Sequence, residues 1–167
     1  MDRDQSVARE LGILMAEREI RRRLVDYCHG VDRCDAALTA SAYHPDATDD
    51  HGSFVGLGRD FAEYAASRLA ERYEVTQHTT GDPAIDFVSE TVARVVTYVR
   101  AEHLGRDDDG LFLVTFEGEY RDRFEERDGT WRIADRFVVH AWDSTRRIEA
   151  AFDPGRFADR TRHPRSG

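Results

Sequence analysis

The sequence predicts an α+β domain, in which about three N-terminal helices pack on a strongly curved, mostly antiparallel sheet. Two observations lead to this prediction. Apolar residues recur at helical spacing through the first third of the chain, and from about residue 76 onward they alternate with polar residues as in half-buried strands. Several strand segments are long enough that they must twist and curve, so helices on one face would enclose a cone with an open mouth.

Three helices are expected. The first carries one apolar stripe, and Gly30 is placed to end it. Asp35 is suited to cap the second helix, which Pro45 closes. The predicted ranges are 7–28, 36–43 and 60–73. The stripe of the first helix comprises Leu11, Leu14, Met15, Ile20, Leu24, Val25 and Cys28.

The rest of the chain reads as strands joined by short connections. Asp128-Gly129 is a strong hairpin signal between the last two strands. A glycine-bounded run, 105–110, connects the two strands before that hairpin, and Gly56 and Gly58 mark a turn after the first strand. The predicted strands cover 47–54, 76–87, 91–104, 111–126 and 130–143.

The 167 residues suit one domain, which we place at 1–152, followed by a polar, arginine-rich tail at 153–167. We expect this tail to be mobile. The alternative is a lid or a subunit contact, with Phe152 and Phe157 as anchors.

The composition excludes several kinds of chemistry. All 24 basic residues are arginine, and the chain has neither lysine nor asparagine. Schiff-base catalysis and a phosphate-binding P-loop both need a lysine, and N-glycosylation needs an asparagine. The formal net charge of −9 argues against nucleic acid or an anionic membrane as a partner.

The sequence also indicates a cytoplasmic protein. Its N-terminal residues have no apolar core of a signal peptide, and no apolar run approaches the ~20 residues of a membrane span. Cys28 and Cys34 form no disulfide framework, so we expect two free thiols in a reducing compartment.

Common cofactor and metal motifs are absent. Gly56-Leu57-Gly58 lacks the third glycine of a dinucleotide-binding turn. The spacing of His44, Asp46, His51 and His78 fits no standard metal site. We therefore expect no metal and no cofactor.

Four polar residues stand where the pattern expects core. Asp32 continues the apolar stripe of the first helix, and Tyr27 lies five residues earlier. His78 lies near the start of a long strand, and Arg136 lies in the final strand. Three of them have an ordinary structural explanation when taken alone: Asp32 as a helix cap, His78 as a satisfied core histidine, and Arg136 as an outward-facing strand residue.

An ordered set of segments resembles the SnoaL-like group of the nuclear transport factor 2-like (NTF2-like) superfamily over most of residues 10–143. These segments are the helix around Ile20 and Tyr27, Gly30-Val31-Asp32-Arg33, Tyr43-His44-Pro45-Asp46-Ala47, His78-x-x-Gly81 with Ile85-Asp86-Phe87, and the hairpin Glu126 to Ile133. The chain most resembles the cofactor-free branch of hexachlorocyclohexane dehydrochlorinases, scytalone dehydratases and bile-acid dehydratases.

That resemblance implies a catalytic set. Asp32, His78 and Arg136 match site positions of the dehydrochlorinases, and Tyr27 matches a catalytic tyrosine of the bile-acid dehydratases. It also implies assembly into a homodimer or homotrimer. Many relatives keep the fold without this set, among them transport factors and small subunits of ring-hydroxylating dioxygenases.

Elimination chemistry is consistent with these residue types. His78 is suited to remove a proton from carbon if Asp32 accepts a hydrogen bond from its other ring nitrogen, which fixes the tautomer. Arg136 stays protonated and is suited to stabilise developing negative charge. Tyr27 is suited to protonate a leaving hydroxyl. We expect structural roles for His103 and His140.

The sequence therefore predicts a cofactor-independent lyase or isomerase that acts on a small apolar cyclic substrate such as a steroid or polyketide. Dehydration, double-bond isomerisation and cyclisation remain open. The expected pocket residues are His51, Phe54, Tyr43 and Phe116. The alternative is a non-catalytic ligand-binding or assembly module.

Overall fold

The computed structural model describes residues 3–152, so the tail predicted for 153–167 lies outside the described residues. Within this range the chain forms helices α1 (Arg3–Asp32), α2 (Ala36–Ser41) and α3 (Gly58–Arg72). The strands are β1 (Tyr43–Asp50), β2 (Val55–Leu57), β3 (Val75–Thr80), β4 (Ala84–Ser89), β5 (Val92–Asp107), β6 (Gly110–Arg127) and β7 (Thr130–Arg147).

These strands form one sheet in the order β2-β1-β7-β6-β5-β3, with β4 also paired to β5. β1 runs parallel to β7, and the other pairs are antiparallel. The long β6–β7 ladder shifts register twice, at Glu117/Gly118 and at Arg123/Phe124. Such irregularities increase local twist, which curves the sheet. The predicted α+β, curved-sheet class is confirmed.

The core lies between the helices and one face of this sheet. Ile20 and Leu24 of α1 are buried with Phe124 of β6 and Ile133 of β7. In the described part of the chain, no helix is long and apolar enough to cross a membrane. Nor do histidine, cysteine and carboxylate side chains gather in threes in a way that would hold a metal ion within residues 3–152.

Several predicted boundaries are wrong. The second helix ends at Ser41, and β1 already begins at Tyr43. The single strand predicted over 76–87 is two strands, because Pro83 lies between β3 and β4 and lacks the N–H that a continuous ladder requires. The strand predicted over 47–54 ends at Asp50.

The apolar stripe of α1 is only half buried, which also corrects the prediction. Leu11, Leu14 and Met15 are all more than half exposed, and the first buried residue of the helix is Ala16. Helical periodicity reports that a face is apolar, but it does not report how much of that face another element covers.

Gly30 does not end α1, which continues to Asp32 before Cys34 adopts a positive φ of 52°. Instead it is a point of close approach between α1 and α2. A Cβ at Gly30 would lie 2.4 Å from Thr39 Oγ1 and 2.5 Å from the Thr39 backbone nitrogen. The glycine lets the chain turn back tightly after α1, which places Asp32 beside β3.

We expect Gly30→Ala to destabilise the fold by about 1–3 kcal/mol, the usual cost of overpacking a filled site. The measurement is urea unfolding followed by far-UV circular dichroism. Gly12→Ala is a matched control in the same helix, because a Cβ there meets nothing within 4 Å. Its helix propensity should make it neutral or stabilising. Equal losses in the two variants would contradict the packing explanation.

Candidate active site

His78 of β3 and Asp32, the last residue of α1, form a histidine–carboxylate pair. The ring Nδ1 lies 2.7 Å from Asp32 Oδ1. The backbone N–H of His78 also donates to both carboxylate oxygens, at 2.9 and 3.1 Å. The His78 side chain is 9% exposed and that of Asp32 is 19% exposed. The pair is thus largely buried, and no described residue makes a hydrogen bond to His78 Nε2.

His103 borders this pair, although the sequence predicted only a structural role for it. Its ring centroid is 5.6 Å from that of His78 and 4.8 Å from that of Tyr73. Its Nδ1 lies 2.5 Å from Thr76 Oγ1, because Thr76 and His103 face each other in the β3–β5 ladder. Burial lowers the pKa of His103 to about 4, and the charge of His78 acts in the same direction. His103 is therefore a neutral ring at neutral pH.

Arg136 lies within the core and is held by a carboxylate that the sequence analysis did not single out. Its Nε and Nη2 each donate to Asp122 at 2.7 Å, and both side chains are fully buried. The guanidinium carbon lies 4.1 Å from the Tyr27 ring centroid and 4.0 Å from that of Tyr120. Its Nη1 has no hydrogen-bond partner among the described residues. Two of its five N–H donors are therefore committed to Asp122.

Tyr27 belongs to a second histidine–carboxylate arrangement. Its hydroxyl lies 3.1 Å from His51 Nε2, and His51 Nδ1 contacts Asp49 Oδ1. Tyr43 donates its hydroxyl to Asp49 Oδ2 at 2.6 Å. Burial raises the pKa of Tyr27, which Arg136 opposes. Burial lowers the pKa of His51, although Asp49 raises it in part.

The residues expected to line the pocket occupy different places. His51 stacks on Phe61 with 3.8 Å between ring centroids, and Phe54 packs edge-on against the same ring at 5.5 Å. Tyr43 is buried in the core behind Asp49. The Phe116 ring centroid lies 5.5 Å from that of His140, in the C-terminal half of β7. The structure thus gathers three of the four around Phe61 and Asp49, and leaves Phe116 apart.

Strand alternation is the sequence signal that could have pointed to both missed carboxylates. Asp49 occupies the alternating position between buried Ala47 and His51, and Asp122 occupies that between Tyr120 and Phe124. An acidic residue at an inward position needs a partner, because an unpaired buried charge is very costly.

Two cavities lie away from the His78–Asp32 pair. One of about 400 Å³ lies between β2 and β7, where Asp49, Gly56 and Arg136 contribute to its wall. Another of about 700 Å³ lies between the N-terminal half of α1 and the β6–β7 hairpin, against Met15 and Trp131. Neither cavity is lined by His78 or Asp32.

The fold agrees with the family to which the chain belongs. Residues 13–136 match the SnoaL-like domain, so the chain is a member of the SnoaL-like, NTF2-like proteins. The predicted family is confirmed. No curated protein sequence gives a significant match.

Solved structures extend the comparison. A Novosphingobium aromaticivorans protein described as a scytalone dehydratase has 25% identity and a TM-score of 0.70, over 83% of this chain and 93% of that one. A hexachlorocyclohexane dehydrochlorinase has 23% identity and a TM-score of 0.75, over 87% and 99%. An N. aromaticivorans protein described as the beta subunit of an aromatic-ring-hydroxylating dioxygenase has 16% identity and a TM-score of 0.60, over 77% of this chain and 90% of that one.

Proposed function

We propose that the protein is a cofactor-independent lyase of the dehydratase kind, or an isomerase, in which His78 removes a proton from a carbon of a small apolar cyclic substrate. The observation that carries this proposal is the His78–Asp32 pair. Its 2.7 Å contact places a proton on Nδ1 and leaves Nε2 as the acceptor, which is the tautomer that a general base requires.

Asp32 supports the base in two ways. It accepts from both the ring and the backbone N–H of His78, so the ring has little freedom to rotate. It also stabilises the imidazolium that forms when Nε2 takes a proton. Such assistance contributes about 10²–10⁴-fold to the rate.

Elimination is the reaction class that we favour. His78 Nε2 takes the proton, the electrons of the C–H bond form a carbon–carbon double bond, and the leaving group departs with the electrons of its own bond. Two of the similar structures, described as a scytalone dehydratase and a hexachlorocyclohexane dehydrochlorinase, bear names that denote eliminations. The aromatic surroundings of His51, with Phe61 and Phe54, favour a flat, apolar molecule.

A panel of cyclic β-hydroxy ketones, steroidal and bicyclic, tests this proposal. We expect at least one to lose water with formation of an enone, detected by its ultraviolet absorbance, without added metal or cofactor. In deuterium oxide, the α-proton of the same ketone should exchange. A complete lack of both reactions across the panel would contradict the proposal.

Asp32→Asn should lower turnover about 10²–10⁴-fold, because the amide no longer stabilises the charged imidazole. The variant keeps the size of the side chain, so the free energy of unfolding should change far less than the rate. Asp143→Asn is the control, since Asp143 holds exposed His140 in a similar pair, with 2.8 Å between His140 Nε2 and Asp143 Oδ1. Equal rates in the two variants would remove Asp32 from the mechanism.

The outward face of the sheet favours a second candidate function, assembly with another copy of the chain. β6 lies between β5 and β7, and its residues Arg121, Glu119 and Glu117 each separate one residue of β5 from one of β7 on this face. The three rows thus formed join Val96 to Phe137, Tyr98 to Val139 and Arg100 to Trp142. Tyr98 is 71% exposed and Trp142 is 51% exposed. Size-exclusion chromatography with light scattering tests assembly: a dimer or trimer that Tyr98→Glu dissociates would support it, and a monomeric wild type would exclude it.

A further inference from the structure

The chain from Tyr27 through His51 to Asp49 is separate from the His78–Asp32 pair and is built to hold one orientation. One carboxylate oxygen of Asp49 accepts a hydrogen bond from the Tyr43 hydroxyl at 2.6 Å, and the other contacts His51 Nδ1. His51 is further fixed by its stacking on Phe61. Its Nε2 is thereby directed at the Tyr27 hydroxyl, 3.1 Å away.

Loss of water needs more than a base, because a hydroxyl group leaves readily only when its oxygen receives a proton. Arg136 does not supply that proton, because a guanidinium stays protonated, and its Nε and Nη2 donate to Asp122. The Tyr27 hydroxyl is a suitable donor by chemistry. However, burial raises the pKa of Tyr27, so a bare phenolate at this position is costly. Tyr27 therefore needs a group that replaces its proton as it leaves.

We propose that Asp49, His51 and Tyr27 form a proton relay that protonates the leaving oxygen of a hydroxylated substrate. This inference rests on the proposed function, since His78 removes the carbon proton. Tyr27 is the group that touches the substrate, and His51 is a positioning residue that acts through it. The relay makes a β-hydroxy carbonyl compound a better substrate than the corresponding chloride, because chloride leaves without a proton.

One turnover moves one proton from carbon to His78 and another from His51 through Tyr27 to the leaving oxygen. His78 takes the proton from carbon, and the electrons of the C–H bond form the double bond. The C–O bond breaks with its electrons on oxygen, which receives the Tyr27 proton, while Tyr27 receives the Nε2 proton of His51. Water leaves, His78 is then charged and His51 neutral. His78 releases its proton to solvent and His51 takes one up before the next turnover.

The relay operates only while His51 is protonated, so its contribution falls as the pH rises through the pKa of His51. Burial lowers that pKa, the charges of Arg136 and His78 lower it further, and Asp49 raises it. We therefore expect the decline to begin below the ordinary histidine value. The titratable and charged groups around His51 are Tyr27 on α1, Asp49 on β1, His78 on β3, Tyr120 and Asp122 on β6, and Arg136 on β7. α3 contributes the uncharged ring of Phe61.

The test compares two probes, a cyclic β-hydroxy ketone and its β-chloro counterpart, over a range of pH. His51→Gln keeps a polar side chain of similar size but carries no transferable proton. We expect it to lower the ratio of hydroxyl to chloride elimination about 10²-fold or more, and to remove the alkaline decline in the hydroxyl rate. His44→Gln is the control, because His44 is a buried histidine of β1, the strand that His51 follows, and its ring Nε2 lies 2.9 Å from the Glu125 carbonyl oxygen, away from Tyr27 and Asp49.

Tyr27→Phe tests the same step through a second residue and keeps the ring in the core. It should lower the ratio as His51→Gln does, even if the histidine variant fails to fold. An unchanged ratio in either folded variant, or an alkaline decline that persists in His51→Gln, would overturn the relay. If the wild type eliminates chloride but not water, the relay fails and the proposed lyase stands. If it eliminates neither, both fail.

Discussion

Replacing His78 with alanine should remove the base that takes the proton from carbon, and turnover should fall about 10²–10⁴-fold. The ring is the group that Asp32 fixes with Nε2 unoccupied, and alanine offers no acceptor at that position. The effect should appear in both hydroxyl and chloride elimination and in α-proton exchange, because all three begin with the same proton. The measurement is the rate of enone formation together with exchange in deuterium oxide.

His140→Ala provides the matched control for this prediction. His140 is also a strand histidine paired with an aspartate, Asp143, but its side chain is 55% exposed. Its strand, β7, is separated from β3 by β6 and β5 in the sheet. Its replacement should leave the rate unchanged. Wild-type activity in His78→Ala would remove the base from the mechanism. Loss of activity accompanied by loss of the circular dichroism spectrum would call for His78→Gln, which is neutral and closer in size.

The two histidine–carboxylate arrangements differ in how far the sequence could predict them. Asp32 and His78 were expected to interact, because each falls at an inward position and the family resemblance pairs them. Their contact depends on the close approach of α1 and α2 at Gly30, a packing feature that periodicity does not reveal. Asp49 and His51 lie two residues apart in one short segment, yet only His51 was expected near the pocket, and no partner was predicted for it.

Arg136 shows most clearly what the sequence could not supply. The Asp128-Gly129 turn alone would pair Arg127 with Thr130 and would continue that register, with Asp122 opposite Asp135. The register shift at Arg123/Phe124 instead places Asp122 opposite Arg136. A one-residue shift decides whether Arg136 meets a carboxylate or not. Arg136 therefore lies in the core, but the spacing of residues in the sequence could not predict that Asp122 is its partner.

That partner leads to the prediction with the largest expected effect on stability. Asp122→Asn should lower the free energy of unfolding by about 3–5 kcal/mol, the usual cost of removing one member of a buried pair. The asparagine keeps the shape of the site but leaves the Arg136 guanidinium without a counter-charge in a place that water does not reach. Urea unfolding monitored by tryptophan fluorescence measures the loss.

An exposed pair of the same chemical type is the control. Arg121 and Glu119 lie 3.0 Å apart on β6, with the arginine side chain 57% exposed. Glu119→Gln should change the free energy of unfolding by less than about 1 kcal/mol, because water screens such pairs. A loss in Asp122→Asn no larger than that of Glu119→Gln would show that the buried charge is not the reason for the stability.

The double variant Asp122→Leu with Arg136→Met separates charge from packing. If Asp122→Asn is destabilising because it leaves the Arg136 charge uncompensated, removing both charges should restore much of the lost free energy of unfolding. A buried ion pair is often no more stabilising than apolar residues of similar volume. Catalysis should respond differently. The Arg136 guanidinium lies over the Tyr27 ring, 4.1 Å from its centroid, and helps to fix the residue that we place next to the leaving oxygen. A double variant that regains stability but turns over poorly would show that the pair is kept for the site and not for the fold.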